Sequence, residues 1–186
     1  LVVDSGSADG TDSWLSENGI FVIHDDVFKR DGAAAARNFL LQQVRAISPE
    51  AHWALMLDAD ERIMPEDFHN LRYVKDYLAE DYDVMAFPRI DWKDVGMHEA
   101  AKDYHVQPDF QSRMFRLDSQ VYFYRKLHEQ IAGYRKVYRS LNSPKIHHFH
   151  RCTAEEKRDR VGRLYAKLHS EDEQYGHTYP KHHKED

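Results

Sequence analysis

Apolar runs and helix-forming stretches alternate through the first half of the chain. Four apolar runs predict buried strands, at residues 1–3, 20–23, 53–57 and 82–87. Helices are predicted between them at residues 11–18, 33–47 and 65–78, and Pro65 suits the first turn of the last helix. Because strands and helices alternate at this spacing, we predict an α/β fold with a mainly parallel central sheet, right-handed crossovers and flanking helices.

The second half carries shorter elements. Residues 91–109 form a long polar segment without clear periodicity, which is typical of a functional loop. Short strands are predicted at residues 113–117, 121–124 and 145–149, and Thr153-Ala154-Glu155-Glu156 is a capping box that opens a charged helix to about residue 169. The pattern shows no repeat and no domain boundary. We therefore predict a single domain over residues 1–170 and a polar tail over residues 171–186.

Composition narrows the class of protein. The chain has 186 residues, of which 41% are hydrophobic and 12% aromatic, and this is enough for the core of one domain. Its net charge of -6 argues against a surface that holds nucleic acid by its phosphates. The single cysteine, Cys152, cannot form an internal disulfide and fits a reducing compartment. The apolar runs are far shorter than the ~20 residues that cross a bilayer, so we expect a soluble, cytoplasmic protein.

Acidic residues follow three of the predicted strands. Asp4 follows the first, Asp25-Asp26 the second, and Asp58-Ala59-Asp60-Glu61 the third. Ligands bind beyond the carboxyl ends of the strands in open parallel sheets, so these acids mark the predicted site. Two carboxylates spaced one residue apart in an extended chain lie on the same side and suit a hard divalent ion shared with a diphosphate. Asp9 and Asp12 are explained equally well as turn or cap residues.

The motifs together resemble the family 2 glycosyltransferases. The segments that carry the resemblance are Val-Val-Asp-Ser-Gly-Ser-Ala-Asp-Gly-Thr from residue 2, Ala-Ala-Ala-Arg-Asn from residue 34 and Leu-Asp-Ala-Asp-Glu from residue 57. Three further segments resemble the branch with the lipopolysaccharide-core glucosyltransferases: Arg113-Met-Phe-Arg, Leu127-His128-Glu129 and His147-His148. The resemblance implies a GT-A fold, the nucleotide-diphospho-sugar transferase fold. The chain starts without Met inside an apolar run, so we expect the family's first strand-helix unit to be missing.

The resemblance also implies roles for particular residues. Asp4 would contact the nucleoside, Arg37 would lie near the nucleotide, and Asp58 would face the ribose or the metal. Asp60 would bind the metal, Mg²⁺ or Mn²⁺, directly. The other residues assigned to the nucleotide-sugar site are Ser7, Asp9 and Arg113. Arg37 has an alternative interpretation as a solvated residue on the polar face of its helix.

An inverting transfer needs a general base that accepts the proton of the acceptor hydroxyl. Glu129 is the first candidate, because it lies between the apolar residues Leu127 and Ile131, where a carboxylate is partly desolvated. Asp109, in the segment before Arg113, is the second candidate. The alternative for His128-Glu129 is an ordinary surface pair.

Three histidines lie close together near residue 148. On a strand, His148 and His150 would share one face and His147 would point to the other. The spacing does not match a zinc site. We predict that one histidine, His148, supplies a further metal ligand or touches the diphosphate, and that at least two of the three have structural roles.

We therefore predict a metal-dependent inverting glycosyltransferase that uses a nucleotide-diphosphate sugar, a UDP-sugar, and a glycan or glycolipid acceptor. Nucleic acid is not an expected partner, and association with the inner face of the membrane is compatible with the prediction. Two alternatives stay open: a sugar-nucleotide or glycan-binding module without turnover, and a nucleotidyltransferase of related fold. A nucleotidyltransferase would be expected to carry a glycine-rich, basic phosphate loop near its start.

Overall fold

The computed structural model describes residues 1–101, 108–149 and 155–174, without the side chains of residues 79, 155–158 and 172–174. The chain divides into two compact units. The first contains Leu1–Gln42, Phe123–Gln130 and the chain from Asp159, and the second contains Gln43–Tyr122 and Ile131–Arg158. Among the described helices, none is long and apolar enough to cross a membrane. The predicted division into a domain, residues 1–170, and a polar tail stays a prediction.

Five α-helices and ten strands make up the described chain. The helices are α1 Thr11–Glu17, α2 Val27–Asp31, α3 Ala33–Ile47, α4 Phe68–Tyr73 and α5 Glu155–Gln174. The strands are β1 Val2–Asp4, β2 Val22–His24, β3 Trp53–Leu55, β4 Glu61–Arg62, β5 Val84–Asp91, β6 Asp109–Arg116, β7 Tyr122–Tyr124, β8 Gln130–Ala132, β9 Val137–Arg139 and β10 Ile146–His148.

The first unit starts with a strand, a helix and a parallel strand. β1 pairs with β2 so that Asp4 lies opposite His24, and α1 connects them. Gly10 precedes α1 with φ 89, a left-handed conformation that glycine adopts at little cost. The buried apolar residues of this unit come from all its segments: Leu15, Val27, Ala34, Leu41, Phe123, Leu127 and Leu168.

The second unit contains a six-stranded mixed sheet. Its order is β3-β6-β5-β10-β4, and β9 also pairs with β5. β9 pairs with the first half of β5 and β10 with the second half, while β6 runs along the other edge. The core is formed by Ile63, Val74, Met85, Phe87, Met114 and Ile146. The first four residues of β5 are at most 1% exposed, as expected for a strand covered on both faces.

The α/β class is confirmed, but the six-stranded sheet is not mainly parallel. Only the pairings of β5 with β9 and β10 are parallel, whereas β3–β6, β5–β6 and β4–β10 are antiparallel. The reason lies in the connections. β5 and β6 follow one another along the chain with no helix between them in the described residues, so they pair antiparallel, whereas the parallel pairs of β5 with β9 and β10 are joined by longer connections.

Two local predictions also differ from the structure. Residues 53–57 and 20–23 were predicted as buried strands, but Leu55 is 42% exposed and Phe21 is 59% exposed. β3 lies at an edge of its sheet, and the edge position explains its exposure. The predicted helix over residues 65–78 is confirmed as a succession of a 3₁₀ turn, α4 and a π turn. His150, Cys152 and Thr153 lie outside the described residues.

Candidate functional site

Asp4 lies at the end of β1 and is buried, with 7% exposure. Its carboxylate accepts hydrogen bonds from the Ser7 backbone N–H, at 3.1 Å, and from the Ser7 hydroxyl, at 2.5 Å. The hydroxyl bond, followed by the backbone bond, holds the pKa of Asp4 below its usual value despite its burial. The structure thus brings together two of the residues predicted for the nucleotide. Asp9 instead accepts hydrogen bonds from Thr11 at the start of α1, as its turn interpretation predicts.

Arg37 and Glu129 are direct partners in the first unit. The Nε of Arg37 donates to Oε1 of Glu129 at 2.5 Å. Arg37 is only 9% exposed, so its alternative interpretation as a solvated helix residue is wrong. The residue before Glu129, His128, has φ 49, an uncommon conformation for a non-glycine residue. The turn at His128 and the bond from Arg37 fix the position of the Glu129 carboxylate.

In the second unit, a buried ion pair supports the acidic turn after β3. The Glu61 side chain is 0% exposed, and Arg113 donates to its two oxygens at 2.6 and 2.7 Å. Arg113 also donates to Asp58 at 2.8 Å, and Oε2 of Glu61 accepts from the Asp58 backbone N–H at 3.1 Å. Asp58 and Arg113, both predicted for the nucleotide site, are therefore brought together by Glu61, a residue of the acidic motif for which no individual role was predicted.

His148 lies on β10 between two carboxylates. Its Nδ1 bonds to Asp91, and its Nε2 lies 3.4 Å from Oδ2 of Asp60. Burial opposes the positive charge, but the hydrogen bonds to Asp60 and Asp91 outweigh it and raise the pKa of His148 to about 9. In the absence of an ion the imidazole is thus protonated at neutral pH, and a metal at Nε2 would displace that proton, because a histidine ligand is neutral.

His147 points to the other face of β10, as the strand periodicity predicts. The indole N–H of Trp92 donates to its Nδ1 at 3.0 Å, and the two rings are within 13° of parallel. Burial lowers the pKa of His147, so this ring is neutral. The two adjacent histidines therefore differ in charge because His148 bonds to two carboxylates, whereas at His147 burial outweighs the attraction of Asp67 and Glu66.

Asp109, the second candidate base, is held at the start of β6. Nη2 of Arg89 lies 2.7 Å from its Oδ2, and the amide of Gln111 donates to its Oδ1 at 2.8 Å. Nε of Arg89 also lies 3.5 Å from Asp91. Arg89 and Asp91 were not predicted. Asp91 ends a buried apolar run in the same way as Asp4, so the rule that drew attention to the other strand-end acids applies to it as well.

The side chains of Asp60 and His148 fit a divalent metal as two of its ligands. Neighbouring ligands at the ~2.1 Å bond lengths of such an ion lie about 3 Å apart, close to the 3.4 Å between Asp60 and His148. Among the described residues, no three or more His, Cys, Asp or Glu side chains form a group that could hold an ion. Proteins commonly bind Mg²⁺ through one or two carboxylates together with substrate phosphates, and Asp60 supplies one such carboxylate.

The mixed α/β architecture is consistent with a GT-A-like fold. The model of the family described as glycosyl transferase family 2 matches residues 1–143 of the chain. The match covers well over half of the sequence, and the chain therefore belongs to family 2 of the glycosyltransferases. No curated protein matches the chain significantly. Membership implies transfer of a sugar from a donor to an acceptor.

Proposed function

We propose that the protein is a metal-dependent inverting glycosyltransferase that moves a sugar from a UDP-sugar to a hydroxyl group of a glycan or glycolipid. The observation that carries the metal dependence is the pair formed by Asp60 and His148, 3.4 Å apart between Oδ2 and Nε2. Members of the family often use a divalent metal. Mg²⁺ or Mn²⁺ bound here would neutralise the charge that develops on the departing diphosphate.

We assign a separate role to each residue of the acidic turn. Asp60 would bind the ion directly, and His148 would supply a second ligand. Asp58 is held by Arg113, so its carboxylate is oriented before any ligand arrives, and it would face the ribose or the metal. Arg113 is engaged by Glu61 and Asp58, which supports a role in holding the turn. Its predicted contact with phosphate stays a prediction.

In the first unit, the proposed nucleoside contact is Asp4. Its hydrogen bonds from Ser7 keep the carboxylate ionised and oriented, and an ionised carboxylate accepts hydrogen bonds from the N–H groups of a base or the hydroxyls of a ribose. Asp9 holds the start of α1 through Thr11 and would act on the nucleotide through that turn. Arg37 would act near the nucleotide.

Glu129 is proposed as the general base, which accepts the proton of the acceptor hydroxyl as the new bond to the sugar forms. Arg37 engages one oxygen of Glu129, whereas Arg89 and Gln111 face both oxygens of Asp109. This difference favours Glu129 over Asp109. The side chain of Glu129 is 18% exposed, so a hydroxyl group can reach it.

The three segments that resemble the lipopolysaccharide-core branch are the reason that we propose a glycolipid acceptor. Each segment contains a residue with a defined contact: Arg113 bonds to Glu61 and Asp58, Glu129 to Arg37, and His148 to Asp91. On this basis we propose a role in cell-envelope polysaccharide synthesis at the cytoplasmic side of the membrane.

Calorimetric titration of UDP with and without Mn²⁺ tests the metal. We expect wild-type affinity to depend strongly on Mn²⁺, and Asp60→Ala to lose that dependence because its ligand oxygen is gone. Asp118→Asn is the matched control, since Asp118 is a carboxylate of the same unit that pairs with Arg116 and is 62% exposed. Equal UDP affinity of the wild type with and without metal would contradict the assignment.

Release of UDP from UDP-glucose, with truncated core lipopolysaccharide as acceptor, tests the base. Glu129→Gln keeps the shape of the side chain and removes the proton acceptor, so transfer should fall by ~10²-fold or more while UDP binding barely changes. Glu171→Gln is the control, because Glu171 is a carboxylate of the first unit that pairs with Lys126 at 2.6 Å. A near-normal rate in Glu129→Gln would pass the role to Asp109. UDP binding without any transfer by the wild type would favour a binding module.

A further inference from the structure

Asp91 ends β5 and is 6% exposed. In the parallel ladder between β5 and β10, Asp91 lies directly opposite His148. The backbone N–H of the next residue, Trp92, donates to the His148 carbonyl at 2.9 Å. The distance between the two side chains is therefore set by backbone hydrogen bonds, and the contact of Asp91 with Nδ1 follows from the strand register.

This contact determines where the other ring nitrogen points. The two nitrogens lie on different sides of the imidazole, so a bond that anchors Nδ1 leaves Nε2 directed away from Asp91. Nε2 lies 3.4 Å from Oδ2 of Asp60, and the His148 side chain is 13% exposed. A histidine that binds a metal almost always donates its second ring N–H to a carboxylate, a carbonyl or water, which orients the ring.

Asp91 is itself held in place from the other side. Its Oδ1 faces His148, and its Oδ2 lies 3.5 Å from Nε of Arg89. Arg89 also lies 2.7 Å from Asp109, its direct neighbour in the ladder between β5 and β6. The carboxylate of Asp91 thus bonds to His148 of the neighbouring strand β10 and faces Arg89 of its own strand, which in turn pairs with Asp109 of β6.

We propose that Asp91 is a positioning residue of the metal site: its carboxylate holds Nδ1 of His148 so that Nε2 faces the ion bound by Asp60. The inference rests on the proposed function in one respect, that Asp60 and His148 share a divalent ion. Asp91 does not touch the ion. Loss of such an outer carboxylate weakens metal binding by about 10–100-fold in other proteins.

Binding of Mn²⁺ to the chain in the presence of UDP tests the proposal, with electron spin echo spectroscopy as a second readout. Wild type should show coupling between Mn²⁺ and a histidine nitrogen, and His148→Ala should lose it. Asp91→Ala should bind Mn²⁺ about 10–100-fold more weakly and lose most of the nitrogen coupling. Asp91→Asn keeps an oxygen that accepts the Nδ1 hydrogen bond but loses the charge, so we expect a smaller fall, of about threefold or more.

Asp83→Asn is the matched control. Asp83 is also a buried carboxylate of the second unit, 2% exposed and paired with an arginine, Arg135, but it precedes β5 at the opposite end from Asp91. Its Mn²⁺ affinity and nitrogen coupling should equal those of the wild type. If Asp91 acted in folding alone, Asp91→Ala and Asp91→Asn would lower the stability of the protein. Their Mn²⁺ affinity and nitrogen coupling would then stay unchanged.

Two results would overturn the inference. The first is that the Asp91→Ala variant folds and keeps the Mn²⁺ affinity and the nitrogen coupling of the wild type. The second is that the wild type binds Mn²⁺ through Asp60 but shows no nitrogen coupling. If Asp91→Ala does not fold, the test uses Asp91→Asn. An Mn²⁺ affinity of Asp91→Asn equal to that of the wild type also overturns the inference. Wild type that binds no Mn²⁺ beyond what UDP alone binds would refute the proposed metal dependence itself, so the two failures are distinguishable.

Discussion

The ion pair between Arg113 and Glu61 allows a quantitative test of what holds the acidic turn. Arg113→Met keeps most of the side-chain volume but removes both N–H donors from the Glu61 carboxylate, at 2.6 and 2.7 Å, while Glu61 stays 0% exposed at its side chain. Removal of one partner of a buried pair costs about 3–5 kcal/mol because the other charge is left uncompensated. Asp58 also loses a donor, but its side chain is 39% exposed and water can replace it.

Urea unfolding measures this cost. Tryptophan emission in a Trp14→Phe background reports on the second unit, because Trp53 and Trp92 both belong to it. With a urea dependence of about 2 kcal/mol per M, a loss of about 4 kcal/mol lowers the unfolding midpoint by about 2 M. Glu61→Met/Arg113→Met replaces the whole pair by apolar side chains, and we expect it to be more stable than Arg113→Met alone.

The stability of the double variant shows whether the ion pair contributes to stability. If it is less stable than Arg113→Met by the full cost of the Glu61→Met variant, the two substitutions are additive and the ion pair contributes no coupling energy. The same conclusion follows if Arg113→Met lowers the midpoint by less than about 0.5 M, since that is below the smallest cost expected for a stranded buried charge. Either result would mean that the turn is held by its backbone alone.

Two further predictions concern stability. Hydrogen bonds from Arg135 hold the pKa of Asp83 below its usual value, so the carboxylate contributes stability above about pH 4 that is lost as the pH falls through the lowered value. Asp83→Asn should therefore be less stable than wild type in urea at pH 7, with the difference shrinking at pH 3, and a constant difference would contradict this. Gly32 has φ 91, and a Cβ there would lie 2.6 Å from the backbone oxygen of Lys126, so Gly32→Ala should lower the thermal midpoint more than Gly10→Ala, where no atom lies within 4 Å. Equal effects of the two alanines on circular-dichroism melts would show that the contact with Lys126 does not matter.

The strand-end acids could be predicted from the sequence because the signal is local. Asp4 ends β1, and the Asp58–Glu61 segment follows β3 closely, as the apolar runs before them indicate. The alternation of a strand also separates His147 from His148. These features depend on a few consecutive residues and on a period of two, which the sequence shows directly.

The contacts between distant segments could not be predicted. Asp91 meets His148 only because β5 and β10 are paired in a particular register, and Arg37 meets Glu129 across 92 positions of the chain. The short strands β4, β8 and β9, with two or three residues each, are too short to show a period. Glu61 can be buried because the guanidinium of Arg113 donates to both of its oxygens, and no local sequence pattern reveals this contact.

The position of β5 between other strands on both edges determines the order in which the second unit opens. It pairs with β6 on one side and with β9 and β10 on the other, and its first four side chains are at most 1% exposed, so we expect its amide hydrogens to exchange only when the unit unfolds as a whole. The acidic turn instead lies between β3 and β4, the two strands at the ends of the sheet order. Edge strands separate at lower free energy, so we expect the amides of the acidic turn to exchange before those around Asp91, at the end of β5.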